Sequence, residues 1–280
     1  MSMFQGRKLV ITSKHGKAAS IGPVLEKALG VEIVVNEAVD TDQLGTFTGE
    51  IERTMTPLEA AKTKCLQGMD QSGIDLGVAN EGSFGPHPVL FFVPCNEEWL
   101  VLIDQKNQLE IVVRDLVTDT NFDGQEIDSK ESLWDFAEKA KFPSHALILR
   151  KNKNTSEDIA KGLDSKEELE RVFEELLEKH GKAYIETDMR AHVNPTRMAF
   201  IGRLSEKLAE RCLSACPSCQ TPGFGRTSTI KGLPCGFCGT PTRSILSYLH
   251  TCQKCGHTEE EAYPNGKEKE DPMYCDYCNP

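Results

Sequence analysis

The sequence predicts an α/β domain, a mixed sheet flanked by helices, followed by a small zinc-ribbon module. Three observations carry this. Strand-like and helix-like runs alternate through residues 1–212. Two apolar runs, WLVLID (99–104) and LEIVVRD (109–115), flank only QKNQ and read as a hairpin, which makes the sheet mixed. Eight cysteines, all in CxxC pairs, crowd residues 213–280, where helical periodicity is gone.

The elements follow in order. KLVIT (8–12) is a short apolar strand, and residues 17–29 carry Ile21, Val24, Leu25, Ala28 and Leu29 at helical spacing until Gly30 stops them. VEIVV (31–35) is a second strand, and QLGTFTGEIERTM (43–55) is irregular. TPLEAAKTKCLQGMDQSG (56–73) is a helix with Thr56 as N-cap, Pro57 at the first position and Glu59 completing a capping box. DLGVAN (75–80) reads as a strand that stops on Glu81 and breaks into glycines. After the hairpin come a helix (129–140), the strand HALILR (145–150), an amphipathic helix (164–181), the strand AYIET (183–187) and a helix (194–212) with Asn194 as N-cap.

Composition bounds the functions. An apolar content of 39% and a charged content of 27% suit a soluble globular protein. No apolar run reaches the roughly 18 residues of a spanning helix, and the N-terminal apolar stretch is too short for a signal peptide, so a cytoplasmic location is expected. A net charge of −11 argues against generic nucleic-acid binding but not against a small anion held by local cations.

The cysteine pairs are Cys216/Cys219, Cys235/Cys238, Cys252/Cys255 and Cys275/Cys278, with 15, 13 and 19 residues between them. Two facing CxxC turns supply four thiolates at tetrahedral spacing, so two structural Zn²⁺ sites are expected. Sequential, nested and interleaved pairings all fit the spacing. His250 and His257 are spare donors. The module carries six Lys+Arg against seven Asp+Glu over 213–280, which favours a folding staple or a protein contact over a nucleic-acid ribbon.

Three polar islands stand in the first domain. TSKHGK (12–17) follows a strand and precedes a helix; Thr12, Lys14, His15 and Lys17 there face an anion-binding helix start. Glu59, Lys62, Asn80 and Glu81 lie where a helix–strand unit forms a crevice, and two carboxylates there would hold Mg²⁺ or Mn²⁺. ETDMRAHVNPTRM (186–198) places Arg190, His192 and Arg197 at a helix start, a poor arrangement for the helix dipole unless an anion binds. His87 and His145 read as structural.

Together these islands resemble the inosine/xanthosine triphosphate pyrophosphatase superfamily. Its T-x-N-x-x-K loop matches Thr12–Lys17, with Lys14 in place of Asn. Its E-x-A-x-x-K/R-A helix matches Glu59 to Lys64. Its acidic strand end matches Asn80, Glu81 and Gly82, with Asn80 in place of one acid. Its basic segment matches Thr196-Arg197. The zinc module lies outside that superfamily; with it, the chain resembles an uncharacterised bacterial family marked by ETDMRAHxNPTRM and a terminal CxxCNP. The resemblance implies a Mg-dependent nucleotide pyrophosphatase of house-cleaning type. Glu59, Glu81 and Lys17 would be catalytic, and Thr12, Lys14, His15, Lys62, Asn80, Arg190, His192 and Arg197 would bind the phosphorylated substrate. The alternative is a non-enzymatic ligand sensor whose zinc ribbons dock a protein partner.

Overall fold

The computed structural model describes residues 3–39, 55–153, 155 and 157–280. The expected irregular segment 43–55 lies outside the described residues except for Met55. The chain divides into two compact units, Met1–Ala209 and Glu210–Pro280. Among the described residues no helix is long and apolar enough to cross a membrane.

The first unit opens with β1 (Lys8–Thr12), α1 (Ala18–Leu29), β2 (Glu32–Asn36), α2 (Pro57–Ser72) and β3 (Leu76–Pro86), then β4 (Pro94–Asp104) and β5 (Leu109–Val117). These five strands form one mixed sheet in the order β2-β1-β3-β4-β5. β1 runs parallel to both β2 and β3, and β3, β4 and β5 are antiparallel. Gly22 of α1 packs near Ile11 and Ile33, whereas α2 packs Ala61 and Cys65 against Val10, Ala79 and Val101. Side chains alternate across a strand, so the two helices cover opposite faces. The chain therefore winds one way from β1 to β2 and the other way to β3, and the carboxyl end of β1, beside the middle of β3, is a topological switch point. Open α/β sheets bind ligands at such points.

The remainder of this unit is β6 (Gly124–Ile127), α3 (Lys130–Lys139), β7 (Leu147–Arg150), β8 (Ala160–Leu163), α4 (Lys166–His180), β9 (Ala183–Thr187) and α5 (Pro195–Leu213), whose end reaches into the second unit. Its four strands form a separate sheet, β6-β9-β7-β8. Leu133, Phe136, Phe173 and Ile185 centre the core that α3 and α4 make with it. The expected single mixed sheet is thus two sheets. Four-residue strands reading GQEI and AKGL give too little apolar alternation to announce themselves.

β3 is the larger departure. It does not stop at Glu81 but runs to Pro86, with Glu81 opposite Trp99 and Gly82 opposite Glu98. Gly82 does not turn the chain away. A Cβ there would lie 2.5 Å from Arg197 Nη2 and 2.6 Å from both Glu98 oxygens, so the glycine makes room for a buried ion pair.

The second unit is a three-stranded antiparallel meander of β10 (Arg226–Lys231), β11 (Ile245–Thr251) and β12 (Thr258–Ala262). Its apolar core is small: Cys216, Phe224 and Cys252, with His250 and His257 against the Phe224 ring. So little buried apolar surface needs another staple.

Candidate functional site

The staple is visible in the sulfur positions. Cys216, Cys219, Cys252 and Cys255 form one quartet, and Cys235, Cys238, Cys275 and Cys278 the other, the four sulfurs of each lying within 4.8 Å of one another. The pairing is interleaved along the chain. Sγ–Sγ separations are 3.7 Å for Cys216–Cys255, 3.6 Å for Cys219–Cys252, 3.8 Å for Cys235–Cys278 and 3.7 Å for Cys238–Cys275. A tetrahedron with Zn–S bonds of about 2.3 Å has edges of about 3.8 Å, so both quartets fit zinc. The turns repeat one another. The carbonyls of Cys216, Cys235, Cys252 and Cys275 each accept from the amide four residues on, and Gly239 and Gly256 adopt the positive φ the turn needs. Thr221 and Thr240 lie beside Cys219 and Cys238 and pull those thiols down to about 6. His257 and His250 meet Glu259 and Glu261 and stand outside both quartets. A zinc ion held by all four thiolates would have no open position for water, which suits a structural role.

A second assembly sits at the switch point of the first unit. On the face shared by α1 and α5, Lys17 Nζ donates to Asn80 Oδ1 at 2.9 Å. Asn80 Nδ2 in turn donates to Glu98 Oε2 at 3.1 Å and to the Trp99 carbonyl at 2.9 Å. Arg197 Nε donates to Glu98 Oε1 at 2.8 Å and Nη1 to the Met189 carbonyl at 2.6 Å, with the Arg197 and Glu98 side chains 0% exposed. On the α2 face, Lys64 pairs with Glu81, and both are buried. Lys17 feels all these charges. Desolvation lowers its pKa to about 7, with Arg197 and Lys64 adding to the fall and Glu98 and Glu81 opposing it. With Lys17 protonated, three cations face two carboxylates and the centre carries one positive charge in excess; as Lys17 loses its proton above about pH 7 the charges balance.

The sequence-nominated residues are distributed unevenly. Lys17, Asn80, Glu81 and Arg197 belong to this centre. Glu59 does not: it is exposed and its carboxylate accepts from the Thr56 backbone N–H and Oγ1 at 2.9 and 2.7 Å, closing the capping box of α2. Five residues along a helix turn through about 500°, so Glu59 and Lys64 face differently, and it is Lys64 that meets Glu81. The described residues do not assemble the carboxylate pair expected to hold Mg²⁺ or Mn²⁺. Lys62 points away as well, to Glu110 at 2.6 Å. Thr12 is buried against Gly68 of α2, and its Oγ1 has no hydrogen-bond partner among the described residues. His15 stacks on His192, ring centroids 5.0 Å apart, which brings the 12–17 loop to the short 3-10 helix Ala191–Val193; Lys14, half-buried, lies in the same loop. Arg190 closes a bidentate pair on buried Asp188 at 3.0 and 2.6 Å. Arg190 and Arg197 thus have carboxylate partners within the protein.

Two members of the centre have no site role in the sequence reading, Lys64, which only closes the matched helix motif, and Glu98, yet each leaves a signal. Lys64 falls at core spacing from Ala61 and Gly68 on α2, and Glu98 shares a strand face with Leu100 and Leu102. A charge on an apolar face is the mark of a buried partner. Beyond Gly82, Phe84 carries the Arg197 guanidinium 5.0 Å from its ring centroid and touches Phe122 at 5.5 Å. Phe122 in turn lines a cavity of about 540 Å³ with Phe91, Phe92, Tyr184, Lys153 and Glu186. Burial raises the Glu186 pKa there against the pull of Arg150.

A search of curated proteins returns no match. A family profile described as a domain of unknown function (DUF6671) matches residues 64–280, which takes in Lys64, Glu81, Glu98, Arg197 and both quartets. The chain belongs to that family, DUF6671.

Proposed function

We propose that the first unit binds the phosphate groups of a small phosphorylated ligand at the carboxyl end of β1, beside Asn80 and Glu81 in the middle of β3, and that it hydrolyses a nucleoside triphosphate there to the monophosphate and pyrophosphate. The observation that supports this is the buried charged centre at the switch point, with its positive excess. Lys17 and Lys64 reach it from opposite faces, and each keeps a sliver of exposure, 7% and 8%. In this reading they neutralise charge that develops on a phosphate. Arg197 and Glu98 are positioning residues, acting through Asn80 on Lys17. Because Glu59 caps its own helix and Glu81 pairs with Lys64, this reading routes no step through a metal.

That same observation favours a second reading, a ligand sensor that binds the phosphate without cleaving it. One experiment divides the two. Purified protein is assayed with Mg²⁺ or Mn²⁺ against a panel of common and modified nucleoside triphosphates, detecting pyrophosphate, beside Lys17→Met and Glu59→Gln. Hydrolysis predicts turnover that Lys17→Met lowers by at least about a hundredfold and Glu59→Gln leaves alone. Saturable binding without turnover selects the sensor. Neither binding nor turnover removes both readings.

A further inference from the structure

The two cysteine quartets are built alike but tipped differently. In each CxxC turn the residue before the second cysteine is exposed. In the first quartet those residues are Ser218 and Lys254. In the second they are Phe237 and Tyr277, 84% and 76% exposed, and Met273 and Tyr274, 62% and 61% exposed, precede the last turn. The first quartet shows that the turn itself does not call for an aromatic ring. Large apolar groups grouped in solvent mark a contact surface. Both rings flank one cluster of sulfurs, with Cys235–Cys278 at 3.8 Å and Cys238–Cys275 at 3.7 Å.

The charged residues at 243 and 267–276 carry an excess of one carboxylate, with Lys267 held by Glu270 at 3.7 Å. Glu268, Glu270, Asp271 and Asp276 stand against Lys267, Lys269 and Arg243, and Arg243 is already held by Asp276 at 2.8 Å. Four thiolates on one divalent ion add roughly −2. Aromatic faces attract cations, Arg above all, and a nucleic acid would meet charge of its own sign. We propose that the rim of the second quartet, formed by Phe237, Met273, Tyr274 and Tyr277, docks a partner protein through an extended segment carrying Lys or Arg beside apolar side chains.

The test uses the full-length, zinc-loaded chain and a random linear peptide library displayed on phage. Selection is run on the wild type with counter-selection on Phe237→Ser/Tyr277→Lys, which copies the tips of the first quartet. A second variant, Met273→Ser/Tyr274→Ser, leaves the CxxC turns untouched, and zinc content is measured for each protein. The expected result is enrichment of peptides with net positive charge and apolar neighbours. Synthesised, these bind the wild type at least about tenfold more tightly than either variant, with zinc content unchanged. Four outcomes overturn the proposal: no enrichment over the variants; enriched peptides without positive charge; binding of oligo-dT that the same substitutions abolish, which makes the rim a nucleic-acid surface; or loss of self-association in the variants, which makes it a contact between copies of the chain.

Discussion

Lys17 is the residue whose chemistry the fold perturbs most usefully. Its amine is buried beside Arg197 and near Lys64, and desolvation brings its pKa from 10.5 to about 7. The unfolded chain keeps the proton up to about pH 10, so between pH 7 and 10 the unfolded state binds more protons and stability rises with pH. Below pH 7 both states are protonated and the full cost of the buried charge applies. Urea unfolding of the wild type and Lys17→Met, with zinc saturating, therefore gives a stability difference that moves in favour of the wild type from pH 6 to pH 9.5; a flat difference sinks the buried-cation account. A bound phosphate would restore the proton, so binding at pH 8 takes up protons from buffer, readable as a dependence of binding heat on buffer ionisation enthalpy. Gly82 offers a steric check on the same centre. Gly82→Ala drives a Cβ into the Arg197–Glu98 pair and costs about 1–3 kcal/mol in urea unfolding, whereas Gly85→Ala, with nothing within 4 Å, stays near wild type. Equal effects at the two positions would show that the strand, not the ion pair, requires glycine.

At the scale of elements, caps are the legible part of this sequence. Thr56 and Glu59 form the capping box their spacing announces, Ser165 caps α4, and Gly30, Gly73 and Gly181 end their helices in the left-handed region. Caps are local, so a short window of sequence contains all the parties. What was not legible is whatever joins distant elements. Glu98 and Arg197 are 99 positions apart and Lys64 and Glu81 are 17 apart, and no local pattern couples either pair. The same limit explains β3: read alone, NEGSFGP looks like a turn, and only β4 across from it and Arg197 above it give the glycine a place inside a strand. Glu59 shows how a local cap decides between roles. If the capping box is its whole part, Glu59→Gln costs no more than about 1 kcal/mol of stability and leaves phosphate binding by the first unit unchanged. A loss of binding in that variant, with the fold intact by circular dichroism, would return Glu59 to the site.

For the whole molecule, the part past residue 209 has little core and two cysteine quartets that could hold zinc in its stead. The second unit has one small apolar cluster, and a chain of this size rarely folds on so little without a staple. The sequence gives all eight cysteine ligands but not their partners, because spacing constrains a CxxC turn and not the turn it faces. The structure makes the choice interleaved, and paired substitutions test it with metal stoichiometry. The expected content of the wild-type protein is about two Zn per chain. Cys216→Ser/Cys252→Ser removes ligands from one quartet alone, so the chain keeps the zinc of the other. Cys216→Ser/Cys235→Ser takes one ligand from each quartet and weakens both sites, so the count falls below that of the first double variant after dialysis against a mild chelator. Sequential pairing reverses the order of the two variants, because Cys216 and Cys235 would then share a site and Cys216 and Cys252 would not. Native mass spectrometry reads the counts directly, and the reversed order would overturn the interleaved arrangement.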